Sequence, residues 1–190
     1  VTVLQQPVQN IYLVSTSAMD LFLHLDALDS IALSGTRAEG WYLDEAKQAM
    51  QTGRIAYAGK YSAPDYEQIL AANCSLAIEN TMIFHTPEVK EQLERFGIPA
   101  LVERSSYESG PLARMEWIKF WGILLGKEEL AEQLFAAQAE RIAVLADQAP
   151  TGKTCAFFSI TANDLANVRK GGDYVAQMIE LAGGDYVFSD

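Results

Sequence analysis

The sequence predicts an α/β protein: a parallel five-stranded sheet with helices on both faces, a long interlobe helix, and the start of a second α/β lobe. Three observations carry this expectation. Short apolar runs alternate with helix-forming segments five times over the first two thirds of the chain, the pattern of a sheet built from crossover units. The runs are continuously apolar rather than alternating, as strands covered on both faces are. Residues 127–149 (KEELAEQLFAAQAERIAVLADQA) contain no Gly or Pro, and a strand pattern resumes after them. The expected divisions are therefore an N-terminal lobe at 1–126, a connecting helix at 127–149 and an incomplete C-terminal lobe at 150–190.

Residues 10–14 (NIYLV) form the first strand. It breaks at Ser15-Thr16-Ser17, where Ser17 is expected to cap a helix reaching Leu28, with Asp20 three residues on. Residues 31–34 are the second strand, followed by the loop GTRAEGWY and a helix near 43–50. Residues 55–58 are the third strand, and Pro64 is expected at the first helical position of the next helix. The fourth strand is 75–78; Thr86-Pro87-Glu88 opens a helix that Gly97 closes. The fifth strand is 99–102, and Pro111 opens a helix to about Leu125. Beyond the connecting helix come one strand at 154–159, a loop, a helix at 173–181, Gly183-Gly184 and a strand-like DYVF.

Composition narrows the function. The chain has 190 residues, with 14 basic and 25 acidic side chains and a net charge of −11. Such a chain releases no phosphate counterions, so nucleic acid is not an expected partner. No apolar run reaches the roughly 18 residues of a membrane span. Two cysteines, Cys74 and Cys155, lie in or beside apolar runs and are expected to be buried free thiols. No CxxC or His/Cys cluster suggests zinc, and neither His24 nor His85 has the company of a metal site, so no metal or cofactor is expected. The sequence lacks GxGxxG after the first strand, GxxxxGK[ST] and GxSxG. Gly152-Lys153-Thr154 precedes a strand instead of following one, and reads as a turn. No nucleophile–base pair stands out, and the chain is not expected to be an enzyme. Trp117 and Trp121, four residues apart, are expected to face the core from one helix.

In parallel sheets the working residues lie after the carboxyl ends of strands. Those loops hold Ser17, Arg37, Trp41, Tyr42, Lys60, Tyr61, Asn80, Thr81, Arg104 and Tyr107, and the equivalent loop of the second lobe holds Arg169 and Tyr174. Aromatic and guanidinium groups together suit a chelate or aromatic ligand carrying negative charge. Arg37, Trp41, Lys60, Tyr61, Arg104 and Tyr107 are expected to be at least partly exposed and to converge on one edge. The same loops hold Glu39, Glu79, Glu103, Glu108 and Asp173, and charge counting alone does not separate such an edge from ordinary solvated loops.

Five segments, in order, resemble one family. They are NIYLVSTSAMDLFLHLDALDSIALSG, GKYSAPDYEQILAANCSLAIEN, EVKEQLERFGIPALVE, WIKFWGILLGKEELAEQLFAAQAERI and GGDYVAQMIELAGGDYVF. Together they resemble the substrate-binding proteins of ABC importers for iron–siderophore, haem or cobalamin, the class III periplasmic binding proteins. The family's glycine in the opening helix–strand turn is replaced by Asp26 or Asp29. No lipoprotein cysteine or signal peptide is visible, as in a trimmed chain, and the second lobe stops at Asp190.

The resemblance implies a two-lobed extracytoplasmic protein, periplasmic or lipid-anchored on the outer face of the cell membrane, truncated within its second lobe. It would hold a metal chelate between the lobes and deliver it to the permease. By position in DYEQIL, Glu67 would be the first-lobe docking glutamate. An incomplete second lobe is expected, through its apolar faces, to pack against another copy of the chain, to be exchanged between copies, or to be poorly ordered. The competing reading is a nucleotide- or tetrapyrrole-binding enzyme, or a chelatase-like α/β domain. It needs a phosphate-binding glycine loop at a helix start, and the Ser15–Ser17 turn has no glycine.

Overall fold

The computed structural model describes residues 3–189 and divides into two compact units. The first holds the chain up to Arg104 together with Ile118–Ala131; the second holds Ser105–Trp117 and the residues from Glu132 onward.

In the first unit, β1 (Ile11–Leu13), β2 (Ile31–Ser34), β3 (Ala56–Tyr57), β4 (Leu76–Glu79) and β5 (Ala100–Val102) make one sheet. Every pairing in it is parallel. The order across the sheet is β3-β2-β1-β4-β5, so the winding reverses between β1 and β4. The helices that follow the first four strands are α1 (Met19–His24), α2 (Asp44–Gln51), α3 (Tyr66–Ala71) and α4 (Pro87–Arg95). One face of the sheet presents Tyr12, Val14 and Ala77 to a core with Ile69 of α3 and Val89 and Leu93 of α4. Strand alternation turns Ile11 and Leu13 to the opposite face, and both are buried. The buried rings of Phe22 and Trp121 lie 5.5 Å apart in the same unit. Each such side chain contributes about 1.5–3 kcal/mol by leaving water.

Two long helices follow, α5 (Pro111–Leu125) and α6 (Glu128–Ala146). Gly126, at φ +66, separates them. Gly122 and Ala131 mark a close approach between them: a Cβ added at Gly122 would lie 2.5 Å from the Ala131 Cβ. Helix α6 runs unbroken past Phe135.

The described elements correct several expectations locally. Ser17 does not cap α1; it lies in a 3-10 turn, Thr16–Ala18, and neither that turn nor α1 has a side-chain cap at its start. Helix α1 stops at His24 rather than Leu28, because Asp26 takes a left-handed φ of +53 and a separate 3-10 turn occupies Leu28–Ser30. Pro64 does not open α3. It closes a two-residue hairpin of Gly59–Lys60 with Ala63–Pro64, and Asp65 caps the helix by accepting from the Gln68 N–H at 3.0 Å. A side chain at residue 59 would strike the Ala63 carbonyl, so the hairpin requires Gly59.

In the second unit the expected single strand at 154–159 is two strands. β6 (Lys153–Cys155) pairs in parallel with β9 (Gly184–Tyr186), while β7 (Phe158–Ile160) pairs antiparallel with β8 (Ala166–Val168). The latter strand lies in the expected loop. Helix α7 (Tyr174–Leu181) is capped by Asp173, which accepts from the Val175 N–H at 2.9 Å. Strands β6, β7 and β8 are exposed along their length. Cys155 is therefore free but exposed, whereas Cys74 is free and buried. Burial raises the Cys74 thiol to about 11.

Candidate ligand-binding edge

A parallel sheet delivers all its strand-to-helix loops to one edge. Here the loops after β1 and β4 flank the reversal in strand order, the place where such sheets open a crevice. After β1, the buried Ser15 hydroxyl donates to Glu103 Oε2 at 2.8 Å, and Ser17 donates to the same oxygen. The Glu103 backbone N–H donates to the Glu79 carbonyl at 2.8 Å. A carboxylate from the end of β5 thus ties down the turn after β1. Ser17 remains exposed, but its hydroxyl is committed to this cluster.

After β4, Asn80 accepts from the Met82 N–H at 2.9 Å and caps a 3-10 turn that begins with the half-buried Thr81. Arg37 lies 4.1 Å from the Tyr57 ring centroid and is exposed. Lys60 is exposed and Tyr61 half-buried in the hairpin turn, with Tyr61 packed against the core. Tyr42 is 98% exposed. Arg104 is exposed at the end of β5.

Trp41 departs from expectation. It is 5% exposed, so it belongs to the core rather than the rim, and its indole Nε1 has no hydrogen-bond partner among the described residues. Glu79 and Glu103 also depart: both are buried rather than part of a solvated acidic rim. Strand parity explains Glu79. It shares a face with Ala77, two residues earlier, and that face is the core of α3 and α4. Neither Glu79 oxygen has a hydrogen-bond partner among the described residues, and burial raises its carboxyl to about 8. It acts electrostatically on Tyr12 and Tyr66, whose phenols are raised first by burial and then by Glu79. Tyr12 donates to the Gly59 carbonyl at 2.8 Å.

In the second unit, Tyr107 is 64% exposed in the 3-10 turn Ser105–Tyr107. Arg169 pairs with Asp173 at 3.6 Å. Tyr174, at the start of α7, carries the Arg114 guanidinium over its ring at 3.6 Å. Arg114 lies in the first turns of α5 rather than in a strand-end loop. Trp117 is only half-buried, and its indole N–H donates to Glu108 at 3.1 Å. Trp121, in the first unit, is fully buried as expected. An apolar groove of about 620 Å³ runs between β6 and α7, lined by Cys155, Phe157, Val175, Met178 and Ile179 among others.

Glu67 occupies the first turn of α3 and is exposed, with no ion pair or side-chain hydrogen bond among the described residues. His24 is a surface residue 3.6 Å from Asp20, and His85 is also exposed. Among the described residues no group of three His, Cys, Asp or Glu side chains could hold a metal ion, and no helix is long and apolar enough to cross a membrane.

No family model matches the chain. Its fold is that of periplasmic binding proteins of ABC transporters. The periplasmic haem-binding protein HutB of Vibrio cholerae superposes with a TM-score of 0.76 at 18% identity, over 95% of this chain and 66% of that one. The periplasmic vitamin B12-binding protein BtuF of Vibrio cholerae superposes with a TM-score of 0.60 at 14% identity, over 97% of this chain and 68% of that one. Among curated sequences, an uncharacterized lipoprotein of Methanocaldococcus jannaschii, MJ0878, is 24% identical over 157 residues. The chain spans about two thirds of the length of these solved structures and 36% of the lipoprotein.

Proposed function

We propose that this chain belongs to an extracytoplasmic solute-binding component of an ABC importer, one that binds a metal chelate and delivers it to a permease. The observation that carries the reading is the superposition of 95% of the chain on a periplasmic haem-binding protein. The edge chemistry supports it: Arg37 stacked on Tyr57, Lys60, Tyr61 and Arg104 sit at strand ends of a strongly acidic chain. Such groups meet the carboxylate, catecholate or ring surfaces of siderophores, haem and corrinoids. Glu67 is the proposed permease-docking residue, and an extracytoplasmic location follows from the role.

The test is equilibrium dialysis of the purified chain against ferric catecholates, ferric hydroxamates, haem and a corrinoid. Saturable binding of one class, with the others weaker, supports the reading. Binding or turnover of nucleotides with no chelate bound would replace it with the enzyme reading.

A further inference from the structure

We propose that Asn73 is a site of N-linked glycosylation, placed on the edge of the first unit away from the ligand loops. The inference rests on the extracytoplasmic location proposed above and adds a covalent modification to it.

Asn73-Cys74-Ser75 is an asparagine followed two residues on by a serine, with no proline between them. This is the acceptor pattern for an N-linked sugar. Asn10, Asn80, Asn163 and Asn167 have no Ser or Thr at that spacing. Such short patterns also arise by chance, and the placement of this one favours use. Asn73 is exposed in the turn between α3 and β4, at a φ of +50, a left-handed conformation that Asn tolerates better than most residues. Its backbone is fixed, the N–H donating to the Leu70 carbonyl at 3.0 Å. Its side-chain Nδ2 makes one long contact, 3.5 Å to the Ala71 carbonyl, beyond the ordinary N–H···O range. The neighbours Ala71, Ala72 and Ser75 are short, and Ala71 and Ser75 are exposed too. A sugar on Nδ2 therefore enters water without displacing a packed side chain.

The turn lies at the amino-terminal edge of the sheet. The Ser75 N–H donates to the Asn10 carbonyl at 3.2 Å and its hydroxyl donates to the Gln9 carbonyl, just ahead of β1. The ligand loops follow the carboxyl ends of the strands, at the opposite edge. Glu67 is in the first turn of α3 and Asn73 lies just past its last, about 9 Å along the axis. A glycan at Asn73 leaves the ligand edge uncovered.

In the transfer, Nδ2 bonds to the anomeric carbon of a phosphate-linked lipid oligosaccharide. The bond from that carbon to the carrier phosphate breaks, its electron pair leaves with the phosphate oxygen, and the amide proton passes to the transferase. In the folded chain the Ser75 hydroxyl is committed and Cys74 is buried. The transferase therefore meets the tripeptide on the unfolded chain during export, before β4 pairs with β1.

If Asn73 only shapes the turn, it stays unmodified. The whole protein, purified from the envelope fraction of its own cells, is digested with trypsin, which cuts after Lys60 and Lys90 and releases residues 61–90 as one peptide. That peptide should be heavier by one or more sugar residues, and fragmentation should place them on Asn73. The shift should disappear in Asn73→Asp and Ser75→Ala and persist in Ser75→Thr. Asp tolerates the same left-handed turn, so its loss of the shift reports the amide and not the fold. Envelope protein that yields only the unmodified peptide overturns the proposal and leaves the solute-binding reading standing. Protein confined to the cytoplasm overturns both. A glycan on Asn73 in a protein that binds no chelate keeps the proposal and removes the chelate reading. Should Asn73→Asp or Ser75→Ala fail to accumulate, fragmentation of the wild-type and Ser75→Thr peptides decides.

Discussion

At the scale of single residues, Glu79 ties stability to pH. Its carboxyl is fully buried, unpartnered among the described residues and raised to about 8, from an ordinary value of 4.5, by burial. A raised folded-state value means the folded protein holds the proton more tightly than the unfolded chain. Its contribution is therefore complete below about pH 4.5 and is lost as pH rises to 8. Over that window the loss is about 4–5 kcal/mol at about 1.4 kcal/mol per pH unit. Glu79→Gln should flatten the stability profile between those limits and melt above wild type at pH 8.5, as followed by circular dichroism. A wild-type profile flat over this range would show that Glu79 is not protonated in the folded state. Glu67 has the opposite character. Exposed and unpaired among the described residues, it should contribute less than about 1 kcal/mol to folding. Glu67→Ala should leave melting and chelate affinity unchanged while stimulation of the transporter's ATPase falls, since truncating one member of an interface charge pair costs about 2–5 kcal/mol.

At the scale of elements, two substitutions test how the helices end and pack. Asp26 sits at φ +53 just beyond α1, and the Ala27 N–H reaches back to the Phe22 carbonyl at 2.9 Å. This is a helix terminus that favours glycine. Asp26→Gly should raise stability by about 0.5–1 kcal/mol, read as a higher melting temperature. Gly122 has no room for a side chain beside Ala131. Gly122→Leu should cost more than about 3 kcal/mol through overpacking, measured by urea denaturation, and the loss should be largest in probes of the first unit.

At the scale of the whole molecule, the second unit carries more exposed apolar surface than a small unit tolerates alone. Phe158, Ile160 and Leu165 are exposed, as are Phe157 and Met178, which line the groove between β6 and α7. The chain should associate with itself in a concentration-dependent way, which light scattering after gel filtration measures. Phe158→Lys with Ile160→Lys should shift it toward monomer, because both residues lie on β7 and charge there discourages strand pairing. A monomer at every concentration would show that this surface is covered within the chain.

Strand positions in the first unit were legible in sequence because each strand lies in a short apolar run bounded by turn chemistry, and Pro87 and Gly97 mark the limits of α4; the end of α1 and the start of α3 were not. The second unit was less legible: its strands are only three residues long and lie in the open, so neither length nor periodicity separates them from loop. Arg37, Lys60, Tyr61 and Asn80 were legible as strand-end residues. Strand order was not, since the pairing of β1 with β4 joins segments about sixty residues apart and is decided by which apolar faces fit together. Nor was the fate of several polar groups. Ser17, Glu79, Glu103 and Arg114 look alike in sequence to solvated loop or helix residues. Only the tertiary arrangement sends Glu103 across to two serines, buries Glu79 without a partner and lays Arg114 on Tyr174. A local sequence determines where a backbone turns or runs straight; which charge is neutralised depends on neighbours brought in from distant parts of the chain.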